Sequence, residues 1–177
     1  MEYRKTDKEV NENEGGHNTV KGIILDKSEQ YFTFLGGIFK AIQNKQEEYN
    51  WLITDYECYP QSEKCSELFN GKDIWISGSE LTKMIETEDF QWIWGVFSGF
   101  PKGVPKDNVM EFDIPKAEEH EDFWKVPVSI QHPLADIEIV AWDSSLTLFI
   151  SKDDELIKLF CEEFPLAENL TEYNQTK

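Results

Sequence analysis

Residues 90–100 read FQWIWGVFSGF, a nearly continuous apolar run closed by Pro101. A membrane-spanning helix needs about 20 such residues in a row, so this run is too short to cross a bilayer. Its reading is a central β-strand buried on both faces. Trp92 and Trp94, two residues apart, are expected on the same face of it. Gly95, Gly99 and Gly103 recur evenly, but they lie in and after a strand rather than at a helix N-terminus, so they do not form a phosphate cradle.

Further strands are expected on either side of this one. Residues 49–56 place Trp51 and Ile53 on one face and Leu52 on the other. Residues 74–76, 126–130, 137–142 and 146–150 read as strands, and Asp143-Ser144-Ser145 supplies turn residues that join the last two as a hairpin. Val20, Ile23, Ile24 and Leu25 form a short strand broken by Gly22. Three helices are expected. The first has Asp26 and Ser28 as candidate N-caps and an apolar stripe of Tyr31, Leu35, Ile38, Phe39 and Ile42. Gly36 and Gly37 inside it cost about 1 kcal/mol each relative to alanine, and close packing on a sheet is the expected compensation. Ser77 and Glu80 are spaced as a capping box for a second helix through Leu81, Met84 and Ile85. Ser151 with Asp154 caps a last helix that buries Leu156, Ile157, Phe160 and Phe164. Residues 57–73 and 101–108 read as loops, and residues 111–122 as at most a short exposed helix.

Strands and helices do not alternate strictly, which argues against a doubly wound nucleotide-binding fold. The expected class is α+β: a mixed or antiparallel sheet of about five to seven strands with two to three packed helices. The chain of 177 residues suits one domain over residues 19–172, with a flexible arm over 1–18 and a flexible tail over 173–177.

Acidic residues outnumber basic ones 35 to 17, for a formal charge of -18. Neither bare nucleic acid nor an anionic membrane suits such a surface, because both require a concentrated cationic face. The chain opens on polar residues and holds no long apolar stretch, so a soluble, cytoplasmic protein is expected. Cys58, Cys65 and Cys161 form an odd set without Cys-x-x-Cys spacing, which points to reduced thiols rather than disulfides or zinc.

Catalytic motifs are absent: there is no His-Glu-x-x-His, nucleophile elbow or Walker-type loop. Accordingly no cofactor or metal is expected, and the protein reads as non-enzymatic. His120 sits among Glu118, Glu119, Glu121 and Asp122 and reads as a surface histidine in a solvated acidic turn. Asp136 and Glu138 share a strand face with Asp143 at the strand's end, which makes a divalent-ion site or a glycosidase-like acid pair conceivable. Of the six tryptophans, Trp124 has the most polar surroundings. Carboxylates concentrate in residues 111–122, six against one lysine, and in residues 153–172, seven against one. That exceeds what solubility requires and opposes compaction, so an acidic face kept for a basic partner is the favoured explanation. Glu111, Asp113, Glu118, Glu119, Glu121, Asp122, Trp124, Asp136, Glu138 and Asp143 are the candidate contact residues.

Residues Tyr49-Asn50-Trp51-Leu52-Ile53, Gly78-Ser79-Glu80-Leu81, the run from Phe90 to Gly99-Phe100-Pro101-Lys102-Gly103, and Asp143-Ser144-Ser145 before Lys152-Asp153 carry a resemblance spanning residues 20–160. The chain resembles a family of small acidic bacterial proteins with an uncharacterised domain, similar in size and charge to immunity proteins of polymorphic toxin systems. The resemblance implies an intracellular bacterial protein and, by family type, an immunity role against a basic toxin. It carries over no catalytic residues. The alternative is a small-ligand or carbohydrate-binding protein, or a hydrolase, built on tryptophan walls and a carboxylate pair.

Overall fold

The computed structural model describes residues 19–27 and 33–176. The arm expected over residues 1–18, and Ser28 and Tyr31 of the first helix reading, lie outside the described residues. The strands are β1 (Lys21–Leu25), β2 (Tyr49–Cys58), β3 (Ile74–Ser77), β4 (Trp92–Pro101), β5 (Ile137–Trp142), β6 (Leu146–Ser151) and β7 (Glu168–Asn169). The helices are α1 (Leu35–Ala41), α2 (Glu63–Leu68), α3 (Gly78–Thr87), α4 (Lys106–Val109), α5 (Asp154–Glu163) and α6 (Leu170–Gln175). All seven strands form one sheet in the order β3-β2-β4-β5-β6-β1-β7, and every pairing is antiparallel. The α+β expectation holds, with β4 in the interior of the sheet.

Both faces of the sheet are apolar, so both must be covered. On one face α1, α3 and α5 bring Leu35, Ile38, Phe39, Leu81, Ile85, Leu156 and Phe160 onto Trp51, Ile53, Phe97, Ile139 and Phe149. The other face presents Ile24, Val96, Val140, Leu148 and Ile150, with Leu52 and Phe100 nearer β3. Helix α6 and the chain between β4 and β5 cover it, through Leu170, Phe123, Val128, Ala117, Val109 and Ala135.

Trp92 and Trp94 lie on opposite faces, contrary to the strand-period expectation: Trp92 joins the helix-side core and Trp94 the other. Two offsetting irregularities in the β2–β4 ladder account for this. Between Thr54↔Val96 and Glu57↔Trp94 the extra residue is on β2, and between Glu57↔Trp94 and Cys58↔Trp92 it is on β4. A bulge of this kind rotates the bulged strand locally and breaks the two-residue period. Asp55 sits in the first bulge at φ 46, a left-handed conformation that Asp tolerates better than most residues.

Other expectations are corrected by where backbone groups find partners. Residues 57–73 contain α2, capped by the Ser62 hydroxyl accepting from Cys65 N and seated by buried Cys65. No cap residue precedes α1: Phe34 occupies that place, and the Asp89 carboxylate from beyond α3 accepts the Gly36 N–H at 3.1 Å. Asp89 also explains Gly36, since a Cβ there would lie 2.4 Å from its Oδ2. The compensation for that glycine is therefore this close approach, not packing on the sheet. Helix α5 is capped by Asp153, which accepts from Glu155 N, while Ser151 Oγ accepts from Asp153 N. It is not the last helix, because α6 follows and runs through the expected tail to Gln175, anchored by buried Leu170 and capped by Asn169. Residues 126–130 are not a strand: only Val128 is buried, and both neighbours of β4 are already taken by β2 and β5. Residues 111–122, expected to hold at most a short helix, hold no α-helix, and a 3-10 turn, Asp122–Trp124, starts at their end.

The capping box at Ser77 forms as expected and brings Gly78 against the 3-10 turn Lys45–Glu48. A Cβ on Gly78 would lie 2.1 Å from Gln46 O and 2.7 Å from Glu47 Cα, both unyielding backbone. Gly78→Ala should therefore cost about 3 kcal/mol in urea unfolding, whereas Gly103→Ala, with nothing within 4 Å, should change stability by less than about 0.5 kcal/mol. Equal midpoints for the two variants would refute the account of α3 docking.

Candidate partner-binding surface

Antiparallel neighbours such as β4 and β5 can be joined by a turn of 2–5 residues. Here the connection is the whole of residues 102–136, which crosses the second face of the sheet and carries the densest acidic stretch. A long connection with so little secondary structure must satisfy its backbone through side chains. Thr54 Oγ1 donates to Pro115 O at 2.7 Å, and Asp55 Oδ2 accepts from Ala117 N and Glu118 N at 2.6 and 2.8 Å. The bulge that turns Asp55 outward is thus what fastens residues 115–118. Gln131 clasps Lys116 twice, accepting from its N–H and donating to its carbonyl. Asn174 of α6 donates to Phe123 O at 3.0 Å.

Glu138 is the central fastening. It is fully buried in β5, where Oε1 accepts from Ser98 Oγ (2.9 Å) and His132 N (3.1 Å) and Oε2 accepts from Gln131 N (2.8 Å). Burial pushes its carboxyl up to about 7, and the Gln131 and His132 amides, the Ser98 hydroxyl and the Lys152 charge oppose that rise. His132 is also fully buried. Leu134 N donates to its Nδ1 at 3.2 Å, which leaves the proton on Nε2 to be donated to Val109 O at 3.1 Å. The ring is therefore a neutral imidazole, and burial holds its pKa below the ordinary histidine value.

The candidate contact residues divide by exposure and position. Glu111, Asp113, Glu118, Glu119, Glu121 and Asp143 are exposed, and Asp122, Trp124 and Asp136 are half-buried. Glu138 is removed from the surface and cannot contact a partner; alternation along β5 placed it on the covered face. Asp122 pairs with Lys125, whose hydrogen bond lowers the Asp122 pKa, and lies 3.4 Å from His120 Nδ1. Asp136 pairs with Lys152 at 3.1 Å. Asp136 and Asp143 flank the six-residue β5, so they stand about 20 Å apart. With Glu138 turned inward, the three do not converge on one substrate, and no group of three His, Cys, Asp or Glu that could hold a metal exists among the described residues. Five of the seven carboxylates of the second acidic run, Asp153 to Glu163, go with α5 to the helical face, whereas Glu172 belongs to α6 on the face of the first run.

Sequence reasoning missed two apolar side chains, Met110 and Phe112, which are 43% and 41% exposed amid Glu111 and Asp113. Their only signal was an apolar–acidic alternation in a run read for its charge. Phe112 rests edge-on against His132 with ring centroids 5.5 Å apart, so the latch beneath positions it. An open groove of about 410 Å³ lies beside the segment, lined by Asp55, Tyr56, Gly71, Asp73, Ile114, Pro115 and Lys116. Asp55 already accepts two amides there, and Tyr56 OH donates to Lys72 O and accepts from Gly71 N. The three cysteines are free, and burial raises Cys58 to about 12 and raises Cys161, which disfavours a reactive thiolate at either.

The two buried titratable groups of the latch act in opposite directions. Glu138 is raised in the fold, so the native state binds more protons than the unfolded chain between about 4.5 and 7, and its stabilisation is lost as pH rises through 7. His132 is lowered, so its stabilisation is lost as pH falls below the ordinary value of 6.5. Glu138→Gln should be less stable than the wild type by about 1–3 kcal/mol at pH 5.5, because an amide N–H then faces a backbone donor. The gap should narrow as pH rises to 8, read from paired urea titrations; a gap independent of pH would refute the buried-carboxyl assignment. The acid-side loss due to His132 should persist in the variant.

The described residues include no helix long and apolar enough to cross a membrane. No curated protein matches the chain, and no solved structure does. A family model described as "Protein of unknown function (DUF2691)" matches residues 20–171, which takes in the whole sheet, the crossing segment and the start of α6. The chain therefore belongs to the DUF2691 family.

Proposed function

We propose that this protein is a non-enzymatic binding domain that masks the basic surface of a partner protein, in the manner of an immunity protein and its toxin in the bacterial cytoplasm. The observation that carries this reading is Met110 and Phe112 standing exposed in an acidic segment whose backbone is fastened to the sheet. Single exposed apolar residues are ordinary on a soluble surface, but Met110 and Phe112 stand close together among carboxylates, as interfaces place apolar anchors inside a charged rim. The carboxylates accelerate encounter with a cationic partner and reject anionic ones. A fastened segment also loses little conformational entropy on docking, which favours tight binding. The immunity role rests on the resemblance in size, charge and family type.

The test is co-expression with the product of the neighbouring gene. A basic, growth-inhibiting protein should copurify with this chain, lose affinity at least tenfold between 50 and 500 mM salt, and cease to be toxic in its presence. Met110→Ser with Phe112→Ser should weaken the complex by about 30-fold, whereas the unfolding midpoint should move only by the loss of the Phe112–His132 contact and leave the chain folded under the assay conditions. A neighbour that is neither basic nor toxic, or a complex indifferent to salt and to both substitutions, would defeat the proposal.

A further inference from the structure

At the Asp143 end of β5 three indoles meet on the face that carries the acidic segment. Trp94 of β4 and Trp142 of β5 lie with ring centroids 5.1 Å apart, and Trp124 stands edge-on to Trp142 at 4.9 Å and 89°. Tyr173 of α6 lies 6.3 Å from Trp124. All four rings are half-buried, so the cluster reaches the surface without being part of the closed core. Trp124 and Tyr173 are engaged with other groups as well, and they serve as its wall. Carboxylates neighbour its residues in the ladder and along the chain. Glu57, whose Oε1 accepts from Tyr59 OH at 2.6 Å, is the direct ladder partner of Trp94 and so shares its face, Glu121 and Asp122 precede Trp124, and exposed Asp143 follows Trp142. Asp143 is held in place because the turn it begins has left-handed Asp143 and Ser144, and Ser144 N donates to Ile93 O at 2.9 Å. Lys125, the cation next to Trp124, is already paired with Asp122.

We propose that the Trp94–Trp142–Trp124 cluster with Glu57, Glu121 and Asp143 receives an arginine side chain of the basic partner. This rests on the partner reading above and names the chemistry of one of its anchors. An indole face attracts a cation, and a flat guanidinium stacks on it while its N–H fork reaches carboxylates beside the ring. A lysine ammonium has neither the plane nor the fork. An apolar side chain would strip water from the surrounding carboxylates and return no hydrogen bond.

The probe is a capped glycine-spaced peptide with three arginines, compared with its lysine and citrulline counterparts and with a neutral glucose oligosaccharide. The readout is the six indole N–H resonances of the full chain. The arginine peptide should shift Trp94 and Trp142 saturably, leave buried Trp51 and Trp92 unmoved, and bind about fivefold more tightly than the lysine peptide, with no binding by citrulline. Asp143→Asn and Glu57→Gln, at exposed positions, should each weaken it about threefold. Equal binding by arginine and lysine, or shifts of the same indoles by the oligosaccharide, would overturn the assignment. Shifts confined to the amides of residues 110–113 would overturn it and leave the general partner reading standing. Arginine-selective shifts at Trp94 and Trp142, in a chain whose Met110 and Phe112 substitutions do not affect the true partner, would support the cluster and count against the Met110–Phe112 anchor. Silence from every basic peptide would defeat both.

Discussion

A buried carboxyl in the fifth strand holds the surface of this molecule in place. Glu138 collects Ser98 from the neighbouring strand and two consecutive amides, Gln131 and His132, from the segment that lies over it. Without it those amides would be buried donors lacking partners, each a loss of about 1–3 kcal/mol. Beyond that local loss, the path of residues 102–136 is set by this contact and by Thr54 and Asp55 of β2, two strands away in the sheet. Hydrophobic plugs such as Phe123 and Val128 supply burial on this face, but burial is non-directional. The hydrogen bonds decide where each plug enters.

The two bulges between β2 and β4 belong to the same arrangement. The first turns Asp55 outward, where it receives Ala117 and Glu118. The second separates Trp92 from Trp94. Trp92 then sits among Phe69, Phe90 and Phe97 at centroid distances of 4.7–5.0 Å, closing the helix-side core. Trp94 is released to the opposite face and meets Trp142. A regular ladder would have put both indoles in one layer, and either the core or the surface cluster would have been lost.

What could be read from the residues follows the range over which the physics acts. Strands β1 to β6 were legible because apolar runs and turn residues report burial locally, and the Ser77–Glu80 box was legible because both partners lie within one helical turn. The α1 cap was not, since its carboxylate, Asp89, lies 53 residues away. Helix α2 hides in a polar stretch with few apolar positions to make a stripe, and α6 is short, with Leu170 its one buried side chain. The candidate surface was half legible. Charge density pointed to residues 111–122 and Trp124, but only the fold shows that Glu138 is an internal fastening, that Asp136 and Asp143 stand at opposite ends of a strand, and that Met110 and Phe112 are exposed.

The concentration of carboxylates on this segment has a physical consequence for how it could bind. Like charges along a free loop would extend it and move it away from the sheet, so an acidic segment lying flat implies attachments that outweigh its own repulsion. Those attachments are backbone hydrogen bonds to neutral or buried side chains, Thr54, Gln131, Asn174 and Glu138, together with Asp55. Few of the outward carboxylates are consumed in holding the segment down: Asp122 has Lys125, while the fastening falls to inward groups. The field of the segment therefore remains directed at solvent, and a cationic partner meets charges already in position, with the ordering of the chain completed during folding.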